Sequence, residues 1–489
     1  MSDFFTSKNI NFNLYATYII KKYIEINVEN KNNITLEFLK NQISKEELII
    51  LTSLLNKGDK KLSYNILYIL NNIAVLKDSE ILFSLDENIC FNIASFLGNN
   101  KKDDILLFDG VLLIRNLSID KNVCDIFNKY KIIEFFEEIY ERILINNKFI
   151  ELIMHIICNI IHFELIKPEK LRNISCFIPC LKIFATQLRP NYSPSQLYKY
   201  IYKIYELCIS NNDDIYYEII NCKIHKELMN IYPHLYEHKQ LLNQNLLQII
   251  SSKNDLSKEE LENYQKIQTE MEYSYSTCLI ILKIFGKILF SEDGILIQSL
   301  LNANICSFLT PLIQSHDLRV IKNISFCISN ICAGTYGQMA YLFKNNTFYE
   351  LIKVSKEIYE AMELTKDKGD NYNLLRDTFR EINFSFGIAV NNSNFESCVP
   401  FVKCNNYTVV FVLMKGLGIF STIENQDLIE IILQAIGKLN TINYLFEENI
   451  LDIMEKYGLK DNLEKILQNK HWKIFKNVEI IYDSMFGMI

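Results

Sequence analysis

The chain has 489 residues, 49% of them hydrophobic and 22% charged, with a net charge of −7. It holds only 14 Gly and 7 Pro, where an average chain carries about 12% of the two together. Sandwiches, barrels and α/β folds need more turn material than that, so a nearly all-helical protein is expected. The mild acidity gives no electrostatic footprint for nucleic acid. The 13 Cys are odd in number, form no C-x-x-C pair, and mostly sit in apolar runs, as at Cys158, Cys208, Cys278 and Cys327. They read as small hydrophobes in a reducing compartment.

In chain order, residues 1–45 carry six Lys, no Arg and an apolar helix-like run from Leu14 to Ile26. No basic cluster and no signal peptide is visible there. Beyond this segment a pattern recurs over 46–489: an apolar helix bearing a polar residue, a short polar turn, then another apolar helix. The polar positions are Asn72, Asn116, Asn159, Glu206, Lys287 and Asn330, with successive spacings of 44, 43, 47, 81 and 43. A period of 40–47 residues is that of armadillo and HEAT arrays. The spacing of 81 contains a charged stretch over 238–270, read as an inter-helix insertion with its own helical part; a second polar insertion covers 365–373. The most apolar stretch, Thr277 to Phe290, contains Lys283 and Lys287 and is shorter than the ~20 residues that span a bilayer, so no membrane partner is expected.

Several segments resemble the importin alpha family of nuclear import adaptors. SFCISNICAGTYGQMAYLF (325–343) is similar to that family's seventh armadillo repeat. VLLIRNLSIDKNVCDIFNKYKIIEFF (111–136) and IICNIIHFELIKPEKLRNISCFIPCLKIF (156–184) resemble two successive early repeats, and the tail YGLKDNLEKILQNKHWKIFKNVEIIYDSMFG (457–487) resembles the closing one. The resemblance implies an all-α, right-handed armadillo superhelix of about nine or ten repeats. Its concave groove would hold basic nuclear localisation signals and link such cargo to importin beta, in cytoplasm and nucleus.

The resemblance also implies site residues. The family's Asn ladder falls on Asn72, Asn116 and Asn159, whose amides would bond a peptide backbone's N–H and C=O together. The family's Trp positions fall on Tyr68, Leu112 and His155, and an acidic partner falls on Asp120, which could equally cap the following helix. The small residues beside the main Lys pocket fall on Leu76 and Ile81. At a second, minor site the positions are Tyr202, Glu206, Lys287, Phe326, Asn330 and Phe384, with the later Asn replaced by Ile388. The only Trp, Trp472, belongs to the closing repeat and reads as core. The missing basic N-terminal segment argues against importin beta binding and leaves the groove open. No phosphate-binding loop, dinucleotide fingerprint or nucleophile elbow appears, and neither Cys176/Cys180 nor Cys327/Cys332 has a second ligand pair. Catalysis, cofactors and metals are therefore not expected. The competing reading is an armadillo scaffold that binds some other extended or helical partner.

Overall fold

The computed structural model describes residues 10–29, 45–75, 86–139, 147–163, 165, 178, 180–182, 188, 193–209, 211–252, 258–365, 369–446, 449–468 and 474–487. Among these residues there are helices and turns but no strand. Leu76, Ile81 and Trp472, and nearly all of 166–184, lie outside them. The chain forms two compact units: Met1–Tyr192 with Lys199–Ile224, and Ser193–Tyr198 with His225–Ile489.

The first unit runs α1 (Ile10–Glu29), α2 (Lys45–Leu55), α3 (Lys60–Ala74), α4 (Glu87–Asn99), α5 (Asp104–Leu117), α6 (Lys121–Lys129), α7 (Ile132–Glu138), α8 (Asn147–His162), α9 (Pro194–Ile209, whose first turn counts with the second unit) and α10 (Asp213–Asn221). The second runs α11 (Ile224–Ser252), α12 (Lys258–Leu289), α13 (Gly294–Asn302), α14 (Ile305–Ile313), α15 (Leu318–Ala333), α16 (Tyr336–Lys344), α17 (Thr347–Leu364), α18 (Asp370–Asn392), α19 (Phe395–Phe420), α20 (Gln426–Leu445), α21 (Ile450–Lys456), α22 (Leu459–Leu467) and α23 (Phe475–Phe486). The repeating motif is short helix, second helix, long third helix, seen complete in α13–α14–α15 and α16–α17–α18. It is an armadillo-type repeat, and the chain is an all-α array of such repeats.

Local chemistry explains the motif. Asp59, Asp103, Asp120, Asp293 and Asp317 each cap a helix by accepting a backbone N–H. Thr335 and Gln338 form a reciprocal capping box at α16. Between first and second helices the backbone takes a left-handed residue: Lys131, Lys223, Asn304, Asn346 and Gly458, with Asn405, Asn406 and Tyr407 breaking α19 at the same kind of junction. One such residue turns α13 into α14 through 71°. Asn tolerates this conformation, and of the five single-residue junctions only Gly458 spends a glycine.

Third helices stack on third helices: α3 on α5 and α5 on α8 in the first unit, and α12, α15, α18, α20 and α23 in succession in the second. All but α23, which buries Val478 and Tyr482, carry fully buried Leu or Ile between them, such as Ile66, Leu70, Ile114, Ile153, Ile284, Ile324, Ile382 and Ile436. One repeat cannot bury both faces of its long helix, so stability comes from the neighbours. α1 packs on α3 and heads the row. The apolar run of the N-terminal segment is thus part of the stack.

The charged stretch 238–270 is taken up by two lengthened helices, α11 and α12, joined through 253–257, which lie outside the described residues. α19 is long and apolar enough to cross a membrane, but half of its most apolar window is buried inside the fold and its helix breaks at Cys404–Tyr407. Burial pushes the thiols of Cys90, Cys124, Cys158, Cys306 and Cys327 up to about 12, which keeps them protonated and inert.

Candidate peptide-binding row

Each third helix buries most of its circumference and leaves a stripe at helical spacing. In the first unit the stripe runs Tyr64, Tyr68 and Asn72 on α3, Phe108, Leu112 and Arg115 on α5, Glu151, His155 and Asn159 on α8, and Tyr202, Lys203 and Glu206 on α9. In the second it runs Lys283 and Lys287 on α12, Arg319, Lys322, Phe326 and Asn330 on α15, and Asp377, Arg380, Phe384 and Ile388 on α18. The residues expected from sequence lie on these stripes except Asn116 and Asp120, and except that His155, though in register with its stripe, is buried and belongs to the core. The six assigned to the minor site divide between the units, with Tyr202 and Glu206 in the first and Lys287, Phe326, Asn330 and Phe384 in the second.

The asparagines have three different geometries. Asn72 Nδ2 donates to Tyr68 O of its own helix at 2.8 Å, and Asn330 Nδ2 donates to Gly286 O of the neighbouring third helix at 3.2 Å. Both keep Oδ1 and a second N–H without a partner among the described residues. Asn116 is only 6% exposed: its Nδ2 donates to Asn71 Oδ1 at 3.3 Å and its Oδ1 accepts from Arg115 Nη1 at 2.9 Å. The ladder position on α5 is therefore a rung between helices, with Arg115 rather than Asn116 on the stripe. Asn159 donates to Ser118 Oγ at 2.9 Å and accepts from Lys203 Nζ at 3.4 Å, so both ends of its amide are engaged. Lys203 in turn pairs with Glu206 at 2.7 Å.

Asp120 resolves to its capping role, with Oδ1 accepting from Val123 N at 3.0 Å. His155 is 9% exposed. Burial, reinforced by Lys203, Arg115 and Lys199, pushes its pKa down to about 3, so the imidazole is neutral at physiological pH.

The aromatic positions carry cations from the chain itself. Lys21 Nζ of α1 stands 4.2 Å from the Tyr64 ring centroid and 5.3 Å from that of Tyr68. Arg380 Cζ stands 5.0 Å from the Phe384 centroid, held there by a bond from its Nε to Asn425 Oδ1 at 2.9 Å. Phe326 lies over Gly286, where an added Cβ would come within 2.8 Å of its ring, and stacks on Phe290 with centroids 6.4 Å apart. Phe326 is thus half core, half surface. Sequence reasoning missed Lys21, Arg115, Lys203 and Arg380. Helical spacing from Tyr68, Leu112 and Phe384 would have placed Arg115 and Arg380 beside the stripe; Lys21 comes from a segment with no register to the repeats.

At the head of the first unit α1, α3 and α5 enclose a cavity of about 790 Å³. Tyr15, Tyr18 and Tyr64 wall it with Leu14, Ile105 and Leu106, and Lys21, Lys60, Lys61 and Asp103 line it. Among the described residues no group of three or more His, Cys, Asp or Glu is placed to hold a metal.

No family model matches the chain, and no curated protein matches it in sequence. Among solved structures, an engineered protein aligns over 99% of this chain and 97% of its own, at 11% identity and a TM-score of 0.60. At that identity the likeness concerns the fold alone. Two designed armadillo repeat proteins each align over 62% of this chain and 99% of their own, at 16% and 17% identity with TM-scores of 0.41, too low to carry weight; the second is described in complex with the peptide (KR)4.

Proposed function

We propose that the protein is a peptide-binding interaction module, not an enzyme, that holds an extended segment of a partner protein along the third helices of either unit. The observation that carries this reading is the pair Asn72 and Asn330. Each uses one N–H within the protein and keeps an acceptor and a donor without a partner among the described residues, the pair of functions that bonds the backbone of an extended chain without reading its side chains. Asn→Ala at either position weakens a bound peptide by ~0.5–1.5 kcal/mol, whatever the peptide's side chains. Isothermal titration with charge-varied versions of one peptide tests this: a loss confined to one charge type overturns backbone bonding.

A finer reading is a nuclear import adaptor in the cytoplasm and nucleus that binds basic localisation signals and hands cargo to importin beta. The resemblance of 325–343, which retains Asn330 and Phe326, favours it. A pull-down with a Lys-rich signal peptide, with and without importin beta, tests it. Absence of binding to that peptide removes this reading and leaves the general one standing.

A further inference from the structure

The cavity between α1, α3 and α5 is continuous with the candidate row, because Tyr64 belongs both to its wall and to the stripe one turn before Tyr68. Its wall is unusually bare for a folded surface: Tyr15 is 65% exposed, Tyr18 48%, Tyr64 38% and Ile105 66%. A contiguous apolar surface rimmed by charge marks an interaction site rather than scattered exposure.

The charges lining the cavity are unequal. Asp103 is consumed: it pairs with Lys60 at 2.8 Å and accepts from Leu106 N, and the Lys60 bond first, then the backbone bond, holds its carboxyl below the usual range. Lys21 pairs with Glu25 at 3.5 Å and covers the Tyr64 ring. Lys61 has no partner among the described residues, and neither do the hydroxyls of Tyr15, Tyr18 and Tyr64. Among the described lining residues the unspent polar groups are thus one ammonium, three phenols and the Asn65 amide, with no unpaired carboxylate to receive a cation. A basic side chain entering here would meet Lys21 already seated on the ring it would stack on, and Lys61 beside it.

From this we infer that the cavity takes an acidic segment of a partner protein, one in which a bulky aromatic or aliphatic residue adjoins Asp or Glu. The hydrophobe fills the Tyr15–Tyr18–Tyr64 pocket, and the carboxylate pairs with Lys61 and accepts from the phenols. Charge-assisted bonds of this kind are about twice as strong as neutral ones. The inference rests on the peptide-binding reading and names the chemistry of the occupant at the head of the row.

The test is fluorescence anisotropy of the whole chain against labelled peptides of one length built around a Phe-Leu pair, flanked by Glu, by Gln or by Lys. The Glu peptide should bind at least about tenfold more tightly than the Gln peptide, with the Lys peptide weakest and the Glu advantage shrinking as salt rises. Lys61→Glu, a change at an exposed and unpaired side chain, should reverse the order. Tyr18→Ala should weaken both the Glu and the Gln peptide, and the Glu peptide more, because a phenol that its carboxylate would bond is removed with the wall. If the Lys peptide binds as well as the Glu peptide, or Lys61→Glu leaves the order unchanged, the acidic preference is wrong while peptide binding survives. If none of the three binds, this inference falls, and the Asn72→Ala and Asn330→Ala titrations decide the peptide-binding reading separately.

Discussion

The two units tie their third helices together in different ways. In the second, side chains reach across to the backbone. Asn330 donates to Gly286 O, Thr378 to Leu318 O, Ser385 to Ser325 O at 2.7 Å, and Asn392 to Cys332 O at 2.8 Å. In the first, most ties run side chain to side chain: Asn116 to Asn71, Asn159 to Ser118, Lys203 to Asn159. A carbonyl held in a helix is a fixed acceptor, whereas a side-chain acceptor shifts with its own rotamer. The first unit thus places the cations Arg115 and Lys203 in its network of ties, with the titratable His155 buried near both. The second has charged ties as well, Lys322 to Asp377 at 2.7 Å and Lys438 Nζ to Asn391 O at 3.0 Å, but its fixed backbone acceptors and close glycine contacts leave Phe326 and Phe384 on a stiffer frame.

The largest consequence is pH dependence in the first unit. His155 titrates near 6.5 when unfolded and at about 3 when folded. Above pH 6.5 both states are neutral and the residue adds no slope. Below that value the unfolded chain gains a proton that the folded one refuses. Stability is then lost progressively as pH falls from about 6.5 towards 3. At pH 5 this amounts to ~2 kcal/mol relative to pH 7. Urea titrations of the protein and of His155→Gln at both pH values check it: the variant should lose that increment. Equal pH slopes would show that His155 is hydrated and free to charge.

The second unit should break sterically. Gly286→Ala places a methyl group against the Phe326 ring and should cost ~1–3 kcal/mol by overpacking. Combining it with Phe326→Leu should recover part of that loss, because neighbours couple. Additive costs would mean the ring moves aside freely, and the second unit would be no stiffer than the first. Asn330→Ala should cost about 1 kcal/mol in stability, since it releases an inter-helix tie, while Asn72→Ala costs less because its bond stays within one helix. Denaturation midpoints separate the two; equal losses would remove the distinction between them.

Much of this architecture was legible in the sequence. The shortage of Gly and Pro, the apolar helices and the 43–44 residue returns of Asn all follow from stacked three-helix repeats. The long spacing was legible only as an interruption, because α11 and α12 keep a helical pattern through polar sequence. The site was less legible. Family positions found the stripes, yet Asn116 dips below its stripe and Asp120 turns to cap α6, choices set by rotamer and helix phase that a spacing rule does not see. The cations over Tyr64, Tyr68 and Phe384 depend on which neighbours stack, and Lys21 reaches its rings from about one repeat upstream.

The smallest expected effect concerns the bends rather than the ties. Each junction between first and second helices needs a left-handed residue, and the two units meet the need differently. The second uses Asn304 and Asn346; the first uses Lys131, and Lys223 stands at the junction of α10 and α11. A lysine at φ 58 or 60 brings its Cβ against the carbonyl oxygen, at a cost of roughly 1–2 kcal/mol, which Asn partly relieves through local bonding. Glycine removes the clash but adds unfolded-state entropy worth roughly 0.5–1 kcal/mol. Lys131→Gly and Lys223→Gly should therefore stabilise by about 0.5–1 kcal/mol, while Asn304→Gly and Asn346→Gly should be close to neutral. Thermal melts of the four variants decide it. Destabilisation by Lys131→Gly would mean that the lysine stem packs on the helix it precedes and outweighs the strain, and the bends of the two units would then differ in packing, not in backbone conformation.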